Sequence, residues 1–257
     1  MIFSKNKSLV CFSPKPAAKA RLVCFPCAGG GASMYRRWAQ LLTEVEVWAV
    51  NYPGRETLHS LPFAKTTAEI VELILEQTSF WNEKPVLVYG HSFGALMAFT
   101  TAVALQKKTI VPLSVMVSAR RAPHLDAAET FGDLSDDQFV AQLDRFGGVP
   151  AAIRQDPEMM AFYAPIIRAD LQLNDSSKTT VDEVIDAPLY LFSARYDKVA
   201  DEAELLAWRS VTRGHFTHRV FEGGHFFIQD DAEGFTACIR SIIHTLLQQN
   251  DEELIAF

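Results

Sequence analysis

The sequence lacks any apolar run approaching the roughly 20 residues that a membrane-spanning helix needs. Its opening stretch, MIFSKNKSLVCFSPKPAAKAR, lacks the apolar core of a secretion signal, so a cytoplasmic location is the expectation. An excess of positive charge is also missing. The balance of 24 Lys and Arg against 31 Asp and Glu gives a net charge of −7, opposite in sign to the field that displaces counterions from nucleic-acid phosphates. Cysteine is scarce: Cys11, Cys24, Cys27 and Cys238 are too few and too scattered to staple a secreted scaffold. Cys24 and Cys27 spell C-x-x-C, but Cys24 falls inside an apparent strand and a glycine-rich loop follows, which argues against a redox pair. No second C-x-x-C completes a zinc site, and neither a metal nor a bound cofactor is expected. The glycine-rich loop FPCAGGGAS at 25–33 matches neither G-x-G-x-x-G nor a Walker lysine pattern, which removes the usual phosphate-binding readings.

What is present is a chain of 257 residues, 49% hydrophobic and 21% charged, long enough for one large core or for a core with an insertion. Short β-type runs recur: RLVCF at 21–25, VEVWAVNY at 45–52, VLVY at 86–89, LSVMVS at 113–118, LYLFS at 189–193 and HRVF at 218–221. Between them the pattern predicts helices starting near Ser33, Thr66, Phe93, Ala200 and Ala232. Such alternation implies an α/β protein with a mostly parallel sheet covered on both faces. From 125 to 186 the alternation stops. Phe139, Leu143 and Phe146 recur there at helical spacing, followed by PEMMAFYAPIIRADLQL, so the stretch reads as a helical insertion between core segments 1–124 and 187–257. Placed over the carboxyl edge of the sheet, it would act as a lid whose aromatic residues meet the substrate, with Gly147 and Gly148 as a hinge. The terminal NDEELIAF is expected to fray.

The stretch VLVYGHSFGALMAF at 86–99 carries the chemistry. A strand stops at Gly90, Ser92 follows, and helix formers resume at Phe93. G-x-S-x-G between strand and helix is the sharp turn that exposes a nucleophilic serine. A serine hydroxyl needs a base, and the base needs a carboxylate to orient it. Asp197 follows LYLFS and His225 follows HRVF, each on a loop just past a strand. Other acids lie between serine and histidine, Asp170, Asp175, Asp182 and Asp186 among them, but none follows a strand. The order Ser92, Asp197, His225 is that of an α/β-hydrolase triad. For the oxyanion, the backbone N–H of Phe93 and one from the loop after the first strand, Ala28, are the candidates. His91 adjoins the nucleophile and is expected to point elsewhere. Arg120 and Arg121 read first as members of structural ion pairs.

FPCAGGGAS, NYPGRE, YGHSFGALMAF, RRAPH, LSDDQFV with FGGVP, PIIRAD and GGHFF, in that order, resemble the type II thioesterases of nonribosomal peptide and polyketide synthesis. The resemblance implies an α/β-hydrolase fold and a discrete enzyme that removes stalled acyl groups from the phosphopantetheine arm of acyl or peptidyl carrier proteins. It further implies a monomer that needs no cofactor beyond the arm its substrate brings. Ser92, Asp197 and His225 occupy the family's triad positions, and Ala28 and Phe93 its oxyanion donors. Cys27 stands where the family often has histidine. The second reading of Arg120 and Arg121 is as contacts to an acidic carrier or to the pantetheine phosphate. Two other readings stay open at this level: a hydrolase of free small esters, and a silent member of the fold kept for binding.

Overall fold

The computed structural model describes residues 1–126, 130–131, 134–145, 149, 151–177 and 179–255. Among these residues eight strands form one sheet: β1 (Ile2–Phe3), β2 (Leu9–Cys11), β3 (Arg21–Phe25), β4 (Glu46–Val50), β5 (Val86–His91), β6 (Ser114–Ser118), β7 (Leu189–Ala194) and β8 (Phe216–Phe221). Their order is β1-β2-β4-β3-β5-β6-β7-β8. From β4 to β8 every neighbour is parallel, and β1 and β2 add an antiparallel edge. The helices are α1 (Arg36–Leu41), α2 (Thr67–Leu75), α3 (Thr78–Asn82), α4 (Phe93–Gln106), α5 (Asp136–Arg145), α6 (Ala151–Arg154), α7 (Pro157–Ser176), α8 (Glu202–Leu206), α9 (Phe227–Asp230) and α10 (Ala232–Ile255).

The central strands are apolar throughout because both faces are covered. Val23, Val88, Val115 and Leu191 join Ile70, Ile74 and Phe99 on one side. The alternate residues Leu22, Leu87, Met116 and Phe192 join Trp38, Phe235 and Ile239 on the other. That is the period-two alternation of a pleated strand between two helical layers. All six predicted strands are present. Two were not foreseen: β1 and β2 are too short to show a period. The tail expected to fray continues α10 to Ile255. Caps set the other starts. Thr66 accepts the Glu69 N–H before α2, and Asp201 and Glu204 form a reciprocal capping box, at 2.8 and 2.9 Å, that delays α8 from Ala200 to Glu202.

The chain leaves β3 toward β4 on one side and leaves β5 toward β6 on the other. The loops after β3 and β5 therefore diverge and open a crevice at the carboxyl edge, the place where open α/β sheets bind ligands. Among the described residues between 125 and 186, α5, α6 and α7 are the only regular elements, as expected of a helical insertion. Helix α7 buries Ile166, Ile167, Asp170 and Leu173. A satellite cluster of Phe139, Leu143, Val149 and Ile167 packs on Ala28, so the insertion rests directly on the loop after β3.

Candidate active site

Ser92 sits between β5 and α4 at φ 56° and ψ −121°, a backbone conformation that costs a non-glycine residue free energy. The flanking glycines are dictated by close approach. A Cβ on Gly90 would lie 1.9 Å from the Gly94 carbonyl oxygen, and one on Gly94 would lie 2.0 Å from that of Phe25. No side chain fits either place, and the tight turn presses against the end of β3. The Ser92 N–H donates to the Ser118 carbonyl at 2.8 Å, which fastens the turn to β6.

Asp197 and His225 come together as the sequence predicted. His225 Nδ1 lies 3.0 and 3.2 Å from the two carboxylate oxygens of Asp197. Both side chains are more than nine-tenths buried. The parallel pairing of β7 and β8 brings their trailing loops side by side. Those loops are then laced together by Arg195 N–H to the Phe221 carbonyl at 2.9 Å and Tyr196 N–H to the Gly223 carbonyl at 3.0 Å. Asp197 Oδ1 also accepts the Val199 N–H at 3.0 Å, which fixes the carboxylate. No hydrogen bond joins Ser92 to His225. They share the wall of one cavity of about 320 Å³, together with Ala28 and Phe93. Among the described residues no protein acceptor takes the N–H of Ala28 or Phe93. Phe93 opens α4, so its N–H has no intrahelical partner and lies at the positive end of the helix.

His91 is fully buried and does not line this cavity. Its Nδ1 lies 2.8 Å from Ser118 Oγ, which is 2.6 Å from the Tyr89 hydroxyl. Burial first, and the nearby His225 second, push the His91 imidazole well below its usual range, so it is neutral at pH 7.

Asp170 is engaged by other partners. Its carboxylate takes a bidentate pair of hydrogen bonds from Arg55, at 2.5 and 2.7 Å. Both side chains are almost fully buried. Asp170 Oδ2 also accepts the Gly29 N–H at 2.8 Å, and Arg55 Nη1 donates to the Gly30 carbonyl at 3.1 Å. The pair ties α7 to the loop that carries Ala28. Sequence reasoning passed over this link. Arg55 and Asp170 lie in NYPGRE and PIIRAD, but nothing local signals that residues 115 apart meet.

Three expectations are corrected or lie elsewhere. Phe139 does not face the cavity: its ring packs beneath Arg168, 4.1 Å from the guanidinium carbon, and stands edge-on to Phe131 at 6.3 Å. The insertion lines the wall with Phe131, Leu143, Ile167, Leu171, Asn174 and Asp175, and Phe139 stands behind Phe131. Phe146, Gly147 and Gly148 lie outside the described residues. Arg120 and Arg121 form no structural ion pair among the described residues and are buried away from any partner surface, 3% and 8% exposed. They line the Ser92 cavity instead. The C-x-x-C pair is also inert: Cys24 and Cys27 are buried free thiols. Burial, with Asp170 adding to it, pushes Cys27 up to about 12.

A second cavity of about 460 Å³ shares Cys27, Ala28, Ile167 and Phe226 with the first and extends along Gly29, Gly30 and Gly31 to Met34, Phe162 and Tyr163.

Residues 20–246 match the family model described as a thioesterase domain. The gramicidin S biosynthesis protein GrsT of Aneurinibacillus migulanus is 34% identical over 228 residues, 88% of this chain and 89% of its own. The probable cadicidin biosynthesis thioesterase of Streptomyces griseus is 33% identical over 234 residues, and this chain spans 65% of that longer relative. Among solved structures, the type II thioesterase BorB from the borrelidin biosynthetic cluster superposes with a TM-score of 0.84 at 28% identity, covering 94% of this chain and 99% of its own.

Proposed function

Since the chain belongs to the thioesterase family, we propose that it hydrolyses acyl thioesters carried on the phosphopantetheine arm of carrier proteins in nonribosomal peptide or polyketide synthesis, through Ser92, His225 and Asp197. The observation that carries this reading is the shared cavity. It brings a strained serine, a carboxylate-oriented histidine and two unpaired N–H groups to one place.

In this reading Ser92 Oγ attacks the thioester carbonyl carbon while His225 Nε2 takes the hydroxyl proton. The carbonyl oxygen becomes an oxyanion that accepts hydrogen bonds from the N–H groups of Ala28 and Phe93. The C–S bond breaks, the pantetheine thiolate takes the proton from His225, and an acyl-Ser92 ester is left. Water then repeats the sequence: it gives a proton to His225, attacks the ester carbonyl, and releases the carboxylic acid as Ser92 recovers its proton. Asp197 holds the imidazole orientation and stabilises its charge in both halves. The thiolate is a good leaving group, so no step needs a metal. The second cavity, which shares Ala28 with the first and is lined mostly by apolar surface, is where the arm lies in this reading while the acyl chain occupies the first.

The test compares kcat/KM for one acyl chain on a carrier protein, on coenzyme A and as a simple oxygen ester. The carrier thioester is expected to be hydrolysed most efficiently, because docking energy from the carrier helps to position the scissile bond. Greatest efficiency on the oxygen ester would instead identify a free-ester hydrolase. Failure of a fluorophosphonate to label Ser92 would remove the enzyme reading altogether.

A further inference from the structure

Arg120 and Arg121 follow β6 by two and three residues, next to Ser118, whose carbonyl accepts the Ser92 N–H at 2.8 Å. The pair therefore stands beside the nucleophile, inside the Ser92 cavity. Arg120 Nε donates to Asn174 Oδ1 at 2.9 Å and Nη1 to the Arg121 carbonyl at 3.0 Å. Arg121 Nε donates to the Leu125 carbonyl at 3.2 Å. These acceptors are all neutral. Asp175 favours the charge of both arginines, and Glu204 and Asp126 that of Arg121, but the hydrogen bonds of the carboxylates on this wall go to other groups. Asp175 accepts the Phe131 N–H at 2.7 Å and an Asn174 amide hydrogen at 3.3 Å. Asp201 and Glu204 accept each other's backbone N–H. Burial, and Arg121 beside it, pull Arg120 down to about 9, which still leaves it charged at pH 7. A buried cation with no carboxylate hydrogen-bonded to it is costly to keep, and such groups in a cavity mark sites of recognition.

We propose that Arg120 and Arg121 form an acyl-recognition subsite that donates hydrogen bonds to an oxygen carried on the acyl chain beyond the thioester carbonyl. The preferred substrates are then hydroxy-, oxo- or carboxy-acyl groups, ahead of plain alkyl chains of the same length. This rests on the thioesterase reading. A wholly apolar chain would leave the guanidiniums desolvated with donors unmet, and an ammonium on the chain would face two like charges. The pantetheine phosphate does not fit the subsite. It lies at the far end of the arm from the thioester and stays with the carrier, whereas Arg120 is 3% exposed beside the elbow.

The experiment uses the full chain with butyryl, 3-hydroxybutyryl and succinyl groups on one carrier protein, each rate divided by its hydroxide-catalysed rate to remove intrinsic reactivity. Wild-type kcat/KM is expected to favour at least one oxygen-bearing chain over butyryl by about tenfold or more. The hydroxyl and carboxylate arms distinguish a neutral from an anionic ligand. Arg120→Met and Arg121→Met should each move that ratio toward one. The backbone carbonyl of Arg120 keeps its 2.8 Å bond from Trp208 Nε1 in such a variant, and if Arg120→Met fails to fold, the wild-type ratio and Arg121→Met decide. A wild-type preference for butyryl, or an unchanged ratio in the folded variants, overturns the subsite while leaving the thioesterase reading intact. Hydrolysis of none of the three chains overturns both.

Discussion

Asp170 and Gly29 are joined by a 2.8 Å hydrogen bond from the Gly29 N–H to the Asp170 carboxylate, one residue from the proposed oxyanion donor Ala28. Through it, and through the bidentate Arg55 pair, the loop after β3 is held from the helix that roofs the site. Asp170→Asn keeps the shape but removes the charge, leaving Arg55 buried beside a neutral group. The expected result is a loss of about 3 kcal/mol of stability or more, with kcat falling more than KM rises, because the oxyanion contact matters most in the transition state. Chemical denaturation and steady-state kinetics check it. A variant that loses stability but keeps wild-type kcat would confine the pair to a structural role.

Ser92→Ala is expected to lose turnover and fluorophosphonate labelling with little change in Tm, since alanine at φ 56° carries the same backbone strain as serine. Ser92→Gly removes that strain and should gain about 1 kcal/mol. Melting curves of the three proteins separate the two effects. Equal stability of all three would show that the elbow stores no usable strain.

Asp197→Asn keeps the side-chain volume but presents the wrong hydrogen-bond partner to His225 Nδ1, so kcat should drop by orders of magnitude, about 10⁴ where the same change has been made in other triads. Near-normal activity would assign the orienting role to another acid, and Asp170 is no substitute because Arg55 and Gly29 already occupy it.

His91 links stability to pH. Its folded-state pKa is depressed by burial, so above the unfolded value of about 6.5 neither state holds the proton. As pH falls below that value, the unfolded chain takes up a proton that the folded one refuses, and stability declines by at most about 1.4 kcal/mol per pH unit. His91→Asn can still bond Ser118 but does not titrate. Its Tm should therefore fall less steeply than wild type between pH 7 and pH 5, and parallel curves would exclude His91 as a source of acid sensitivity.

The thiols give a direct check on burial. Cys11, Cys24 and Cys27 are buried, whereas Cys238 is partly exposed. With Cys27 pushed up to about 12 and Cys11 to about 11, both stay protonated at pH 8. Iodoacetamide at that pH should modify Cys238 alone in the native protein and all four cysteines after denaturation, as counted by mass. Rapid native alkylation of Cys27 would mean that the cavity beside Ala28 opens to solvent.

The sequence by itself determined the parts that local geometry dictates. Gly90 and Gly94 announce the elbow because no side chain fits against the Gly94 or Phe25 carbonyl. Asp197 and His225 could be chosen because each trails a strand, and parallel neighbours necessarily bring such loops together. Only the tertiary structure decided what depends on distant partners. Phe139 carries the same helical spacing as Leu143, yet packing under Arg168 hides it behind Phe131 while Leu143 reaches the cavity. Arg120 and Arg121 read in one dimension as members of ion pairs or contacts to a partner, and the fold instead sets them in the cavity wall, with Arg120 bonded to Asn174 of α7. Arg55 finds Asp170 because the order of the sheet sets the crevice and α7 crosses above it. Periodicity records which face of an element is apolar. It carries no information about which charged group, more than a hundred residues away, will be waiting on the other side.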